Sequence, residues 1–384
     1  TSTNTDFNEY LKLQAKALRT ADPMLDAYAD KKRATLQDTP LEFTITRENY
    51  EDEMTGTIVE NKELSKMLEE RGISAIPKDF LGGRVGIVNK KGTDALTSIK
   101  QYLPTLAQNM PYNNEYEQNI STTGDAKQTM VDVDLVAVTG NVGEYRGGIT
   151  LAENLPNDDK PSLKIGGGRR NVYHRQIRFI SDKAKLQERL DEILDKEQHQ
   201  YYLDEADHWF TIGHENAHSL GPKKGGETLG KYRNIIEENK ADMGSLAFVD
   251  LLTELGMYTP QQRKQIIVTT ITDNFLKSKP TLSQAHRVRT VMQNKYFAER
   301  GAYDITSDGK IHVNIDKVVP IAKEMLAEIV RIQIDGDFDK AEKYVKDNFI
   351  WTDNMELIAK KLQKVNKTLN GRTESELAEK LLAE

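Results

Sequence analysis

Residues 214–218 read His-Glu-Asn-Ala-His, and this string restricts the fold more than any other part of the chain. On an α-helix, positions four apart stack on one face, so His214 and His218 present two imidazoles to a single point. Glu215 stands one position round, within reach of a water molecule at that point. Trp209, Phe210 and Ile212 supply an apolar face to bury, and Gly221-Pro222 ends the helix soon afterwards. With seven histidines in 384 residues, composition alone would produce such a motif by coincidence with a chance of roughly one in a hundred. The spacing therefore predicts a buried metal-binding helix.

A zinc hydrolase normally uses three protein ligands and keeps one coordination position open. The chain has no cysteine, so any metal must be held by His, Asp and Glu, and no disulfide framework or thiol nucleophile exists. Glu238, twenty residues beyond His218, is the candidate third ligand. It lies in Ile235-Ile-Glu-Glu-Asn-Lys-Ala-Asp242, the opening of a helical stretch that ends near Gly256. Glu238 and Asp242 share a helix face, so Glu238 can ligate one zinc ion while Asp242, or Glu237 beside it, accepts the N–H of a ligating imidazole. A solvated acidic face is the alternative, and the preceding motif at this separation argues against it.

The remaining sequence predicts an α+β fold with two lobes around a cleft. β-Branched runs at 43–46, 84–89 and 131–138 read as strands, and Tyr50–Arg71 and Thr93–Asn109 carry helical spacing. Asn154–Asn171 is rich in turn formers and reads as loop. Its Gly166-Gly-Gly-Arg-Arg170 lacks the phosphate-loop pattern. From Ser181 onward helix signals dominate: Thr259–Gln262 and Thr281–Gln284 fit capping boxes, and Gly256 and Gly301 mark helix ends. The expected division is a mixed lobe over residues 1–180, forming one wall of the cleft, and a mainly helical zinc-binding lobe over 181–384.

A formal charge of −7 gives no general attraction to phosphate backbones, which argues against nucleic acid. No run of 18 apolar residues is present, so no membrane span is expected. The opening TSTNTD has no apolar signal core and looks like a processed or trimmed chain, which leaves export or envelope association open.

HENAH followed by EENKAD resembles the glutamate-zincin pattern, and EENKAD is similar to the second motif of dipeptidyl peptidase III. The resemblance extends from about residue 43 to 350. Downstream it includes Gln284-Ala-His286, the turn 301–306 and Ser307-Asp-Gly309; upstream, Glu48-Asn-Tyr50, Tyr145-Arg-Gly-Gly148, Leu155-Pro-Asn157 and Gly168-Arg-Arg-Asn171. It implies a zinc peptidase of short peptides that releases an N-terminal dipeptide or similar unit, in a cytoplasmic setting. Glu215 would be the base, taking a proton from water and passing it to the leaving amine, with His286 binding substrate and stabilising the oxyanion. Glu48, Tyr50 and Asn171 would hold the free amino terminus, and Arg287 or Arg289, with Arg289 the candidate, the substrate carboxylate. The family's first motif places its histidines five apart and its members carry a further N-terminal domain, so a more open cleft is expected here. His174, His199, His208 and His312 show no partner pattern and read as structural. The rival readings are a zinc hydrolase acting on another acyl group and a peptide-binding protein with a structural metal, against which Glu215 speaks.

Overall fold

The computed structural model describes residues 3–36, 39–50, 62–72, 78–118, 128–139, 152–155, 165, 169–174, 183–276, 279–282 and 284–383. It begins with two helices, α1 (Thr5–Thr20) and α2 (Pro23–Arg33). Each starts on a side-chain cap, Asn4 accepting from the Phe7 N–H and Asp22 from the Met24 N–H, donors that a first helical turn leaves unpaired.

A five-stranded sheet follows, built from β1 (Leu41–Tyr50), β2 (Lys78–Val88), β3 (Gln128–Thr139), β4 (Ala152–Leu155) and β5 (Arg169–His174), in the order β1-β2-β3-β5-β4. Its pairings are antiparallel except β3 with β5, which is parallel. Between strands stand α3 (Lys62–Glu70), α4 (Lys90–Thr97) and α5 (Leu103–Gln108). The three strands expected from the β-branched runs are present; β1 and β3 extend beyond their runs at both ends, and β2 starts earlier than its run and stops at Val88, one residue short of its end.

Three expectations need correction in this half. Tyr50, read as the start of a helix, ends β1 instead; α3 covers 62–70, and 51–61 lie outside the described residues. The stretch Thr93–Asn109 is divided among α4, a 3-10 turn at Ser98–Tyr102 and α5, whose Pro104 has no N–H to continue an earlier helix. Asn154–Asn171 is not all loop. Asn154 and Leu155 belong to β4 and Arg169–Asn171 to β5, strands too short to display alternation and held by each other's backbone. Residues 156–164 and 166–168, like Tyr145–Gly148, lie outside the described residues.

The second half contains α6 (Lys183–Ile193), α7 (Asp204–Ala217), α8 (Arg233–Ala247), α9 (Val249–Glu254), α10 (Pro260–Phe275) and α11 (Ala285–Glu299). After a hairpin of β6 (Tyr303–Ile305) and β7 (Ile311–Val313) come α12 (Ile315–Asp335), α13 (Phe338–Asn348) and α14 (Asp353–Ala383). The 301–306 segment is thus half strand, not wholly turn. The Thr259–Gln262 capping box forms in full. At Thr281–Gln284 the Thr281 N–H donates to Gln284 Oε1, and the helix begins at Ala285.

Ile236, Met243 and Leu246 of α8 form a continuous core with Val288 and Met292 of α11 and Met325 and Ile329 of α12, joined from α5 by Leu103 and Leu106. A smaller cluster, Leu96, Ile99, Met130, Tyr173 and Ile212, seats β3 and β5 against α7. That cluster fixes the sheet to the helix bearing the histidines.

Candidate metal centre

α7 and α8 approach more closely than ordinary side chains allow. Gly213 faces Ser245, and a Cβ on Gly244 would stand 2.8 Å from the Ala217 Cβ, so glycine is needed at both crossings. Ser245 Oγ donates to the Phe210 carbonyl at 2.8 Å and ties the two helices together. The approach brings Glu238 to the two imidazoles. His214 Nε2 and His218 Nε2 lie 3.2 Å apart, His214 Nε2 is 3.5 Å from Glu238 Oε2, and His218 Nε2 is 3.8 Å from Glu238 Oε1.

The other ring nitrogens define the tautomers. His214 Nδ1 is 2.8 Å from Asp242 Oδ1, and His218 Nδ1 is 2.9 Å from Glu237 Oε1. An ionised carboxylate only accepts, so each Nδ1 carries a hydrogen and donates, leaving a lone pair on each Nε2. In the neutral rings two lone pairs face each other at 3.2 Å, an arrangement that a proton or a metal cation between them relieves. Tetrahedral zinc with nitrogen ligands places its donors about 3.3 Å apart, close to the spacings found. By this geometry His214, His218 and Glu238 could together hold one metal ion.

Each supporting carboxylate is itself held. Asp242 receives Arg289 Nη1 on Oδ1 and Gln293 Nε2 on Oδ2 at 2.9 Å. Glu237 receives Lys240 Nζ at 2.9 Å and Gln333 Nε2 at 2.8 Å. Burial opposes ionisation of both, but Arg289 and His214 hold Asp242, and Lys240 and His218 hold Glu237, well below the usual carboxylate range. Burial likewise opposes ionisation of Glu238, and the charges of His286 and His218 outweigh it. Glu238 Oε2 is buried without a well-aligned hydrogen bond, although His286 Nδ1 lies 3.0 Å away. The residues present fit zinc.

Glu215 is 7% exposed, in the turn of α7 that carries both histidines. Burial pushes its carboxyl upward, the charges of His214 and His218 oppose this, and Glu238 adds to it. A carboxyl moved towards neutral pH in this way suits proton exchange.

Of the other expected site residues, His286 and Arg289 lie at this centre. His286 opens α11 and is 58% exposed beside Glu238. Arg289 is engaged with Asp242 and approaches His214 Nδ1 at 3.4 Å, so its guanidinium contacts the support of a candidate ligand. Glu48 and Tyr50 pair with Phe80 and Lys78 in β2, whereas Asn171 pairs with Met130 in β3. Because Gly83 opposes Thr139 and Val88 opposes Val133, these pairings fall at opposite ends of the sheet, and the register does not bring Asn171 to Glu48 and Tyr50. His312 Nδ1 meets Asp195 Oδ2 at 2.6 Å, His199 Nε2 meets the Leu194 carbonyl at 3.0 Å, and His208 stands edge-on to Tyr173. Lys240, Gln293, Gln333, Gly213 and Gly244 escaped the sequence reading. A lysine and small residues at positions a helical pattern marks as inward were the only signals available.

No protein-family model matches the chain. Nudix hydrolase 3 of Arabidopsis thaliana is 27% identical over 269 residues, which are 67% of this chain and 33% of that protein. Among solved structures, dipeptidyl peptidase III from Caldithrix abyssi matches with a TM-score of 0.73 at 23% identity, over 94% of this chain and 66% of its own. The enzyme from Corallococcus sp. strain EGB matches with a TM-score of 0.75 at 19% identity, over 94% and 64%. The chain spans about a third of the curated relative and just under two thirds of each solved structure. Over nearly its whole length, this chain has the fold of dipeptidyl peptidase III.

Proposed function

We propose that the protein is a zinc-dependent peptidase that hydrolyses short peptides and releases a short N-terminal unit, a dipeptide being the leading case. The observation that carries this reading is the convergence of His214 Nε2, His218 Nε2 and the Glu238 carboxylate beside a buried Glu215. A structural metal site has no need of a carboxylate next to the ligands, whereas hydrolysis does. The likeness to dipeptidyl peptidase III supports a peptide as substrate.

His214, His218 and Glu238 hold the ion, which when bound supplies a Lewis acid that acidifies water and polarises a carbonyl. Glu215 accepts the proton of the attacking water and returns it to the leaving amine. Asp242 and Glu237 keep both imidazoles in the tautomer that turns Nε2 inward. His286, exposed beside Glu238, is the donor proposed for the developing oxyanion. β4 ends the sheet and packs against α7, so a peptide lying extended along it would pass the ligand group. The amino-terminal anchor is assigned to one end of the sheet, Glu48 with Tyr50 or Asn171, and β5, which carries Asn171, is among the strands packed on α7.

The deciding experiment combines metal analysis with cleavage of matched peptides bearing free and acetylated amino termini. One zinc per chain and cleavage of the free peptides alone are expected. Equal cleavage of both sets would replace the exopeptidase reading with an endopeptidase one, and metal without cleavage of any peptide would redirect the search to other acyl substrates. Asn171→Ala and Glu48→Ala, assayed on the free peptides, identify which end of the sheet binds the ammonium group.

A further inference from the structure

Lysine is among the side chains least often fully buried, because its ammonium must surrender water. Lys240 is nonetheless 2% exposed, in the middle of α8 and two positions beyond Glu238. Its Nζ is surrounded by acceptors: Glu237 Oε1 at 2.9 Å, the Leu220 carbonyl at 2.7 Å and the His218 carbonyl at 3.4 Å. Both carbonyls belong to the segment leaving the C-terminal end of α7, where unpaired carbonyls and the helix dipole favour a cation. Gly221, at φ 92°, turns the chain there, and the Lys240 stem fills the turn, its Cδ 3.3 Å from where a Gly221 Cβ would stand.

Glu237 meanwhile accepts from His218 Nδ1 on the same oxygen that meets Lys240. One ammonium therefore ties the end of the histidine helix to the carboxylate that orients a histidine on that end. Without it, Glu237 Oε1 is held by the His218 Nδ1–H alone among these groups, with Gln333 on the other oxygen and a side chain 27% exposed that water can reach.

We propose that Lys240 is a positioning residue of the metal centre: by clamping Glu237 to the carbonyls of His218 and Leu220, it keeps His218 Nε2 directed at the ion. This rests on the zinc reading above. Zinc affinity of the full chain is to be measured by competition with a chromophoric chelator for the wild type, Lys240→Met, Glu237→Gln and the double variant, with thermal unfolding of each metal-free protein recorded alongside. Lys240→Met is expected to weaken zinc binding by about 10–100-fold. In the double variant the loss should fall short of the product of the two single losses, because both act through one contact. If Lys240→Met does not fold, Lys240→Gln, which retains donors for the carbonyls without the charge, carries the same comparison. Unchanged zinc affinity in a folded variant would overturn the proposal, as would single losses that multiply in full. Failure of the wild type to bind zinc would instead bring down the metal reading itself.

Discussion

Gly244 of α8 lies so near Ala217 of α7 that a methyl group in place of its hydrogen would come within 2.8 Å of the Ala217 Cβ. Nothing flexible separates them, so accommodating that methyl means moving one helix. Two of the proposed ligands ride on α7 and its C-terminal end, and the third on α8. Gly244→Ala should therefore cost about 1–3 kcal/mol of stability, as overpacking of a tight core does, and weaken zinc binding as well. Denaturant unfolding and zinc titration check both effects. Normal stability and affinity would mean that the crossing distance does not control the site.

Glu215→Gln removes the proposed base without removing a ligand. It should retain one zinc per chain while turnover falls by orders of magnitude. Metal content by elemental analysis and kcat on a free peptide give the two readings, and normal turnover would refute the assignment.

Glu238→Ala should behave oppositely and lose the metal. Zinc at about one hundred times its dissociation constant stabilises the folded state by about 2.7 kcal/mol, so chelation should lower the melting temperature of the wild type. Glu238→Ala should melt at the same temperature with and without chelator. A zinc-dependent shift persisting in this variant would place the metal elsewhere.

His286→Ala tests whether this exposed imidazole serves the reaction or only orients Glu238, 3.0 Å away. An oxyanion donor predicts that kcat falls by about 10²–10³ with zinc retained. Loss of zinc with little effect on the kcat of the reloaded enzyme would assign His286 to Glu238 instead.

Far from the metal, Arg33 Nε meets Glu42 Oε1 at 2.8 Å where α2 packs on β1, with both side chains buried. Glu42→Ala takes a buried carboxylate away from a buried guanidinium and should destabilise the fold by more than about 1 kcal/mol, measured by urea unfolding. A cost below about 1 kcal/mol would show that water reaches and solvates Arg33 in the variant.

By itself the sequence determined whatever depends on neighbours along one element. His214 and His218 share a helix face because they are four apart, and Glu238 and Asp242 share one for the same reason, so a candidate ligand group with carboxylates beside it was legible before any coordinates. Local chemistry likewise announced β1, β2 and β3 through their β-branched runs and the start of α10 through the Thr259 capping box. The tertiary structure decided everything that depends on two elements meeting. Asp242 takes His214 and Glu237 takes His218 because of how closely α7 and α8 cross, a distance set by Gly213 and Gly244 and by no residue spacing. Lys240 carries no mark of its partners in the sequence, and the resemblance makes Arg289 a candidate for a substrate carboxylate; only the folded chain sets Lys240 against the carbonyls that follow α7 and Arg289 against Asp242. The brief pairing of β4 with β5, and the register that parts Asn171 from Glu48, were likewise beyond sequence pattern, because a strand's partner is fixed by backbone hydrogen bonds to residues remote in the chain, and those bonds leave no periodicity in so few residues.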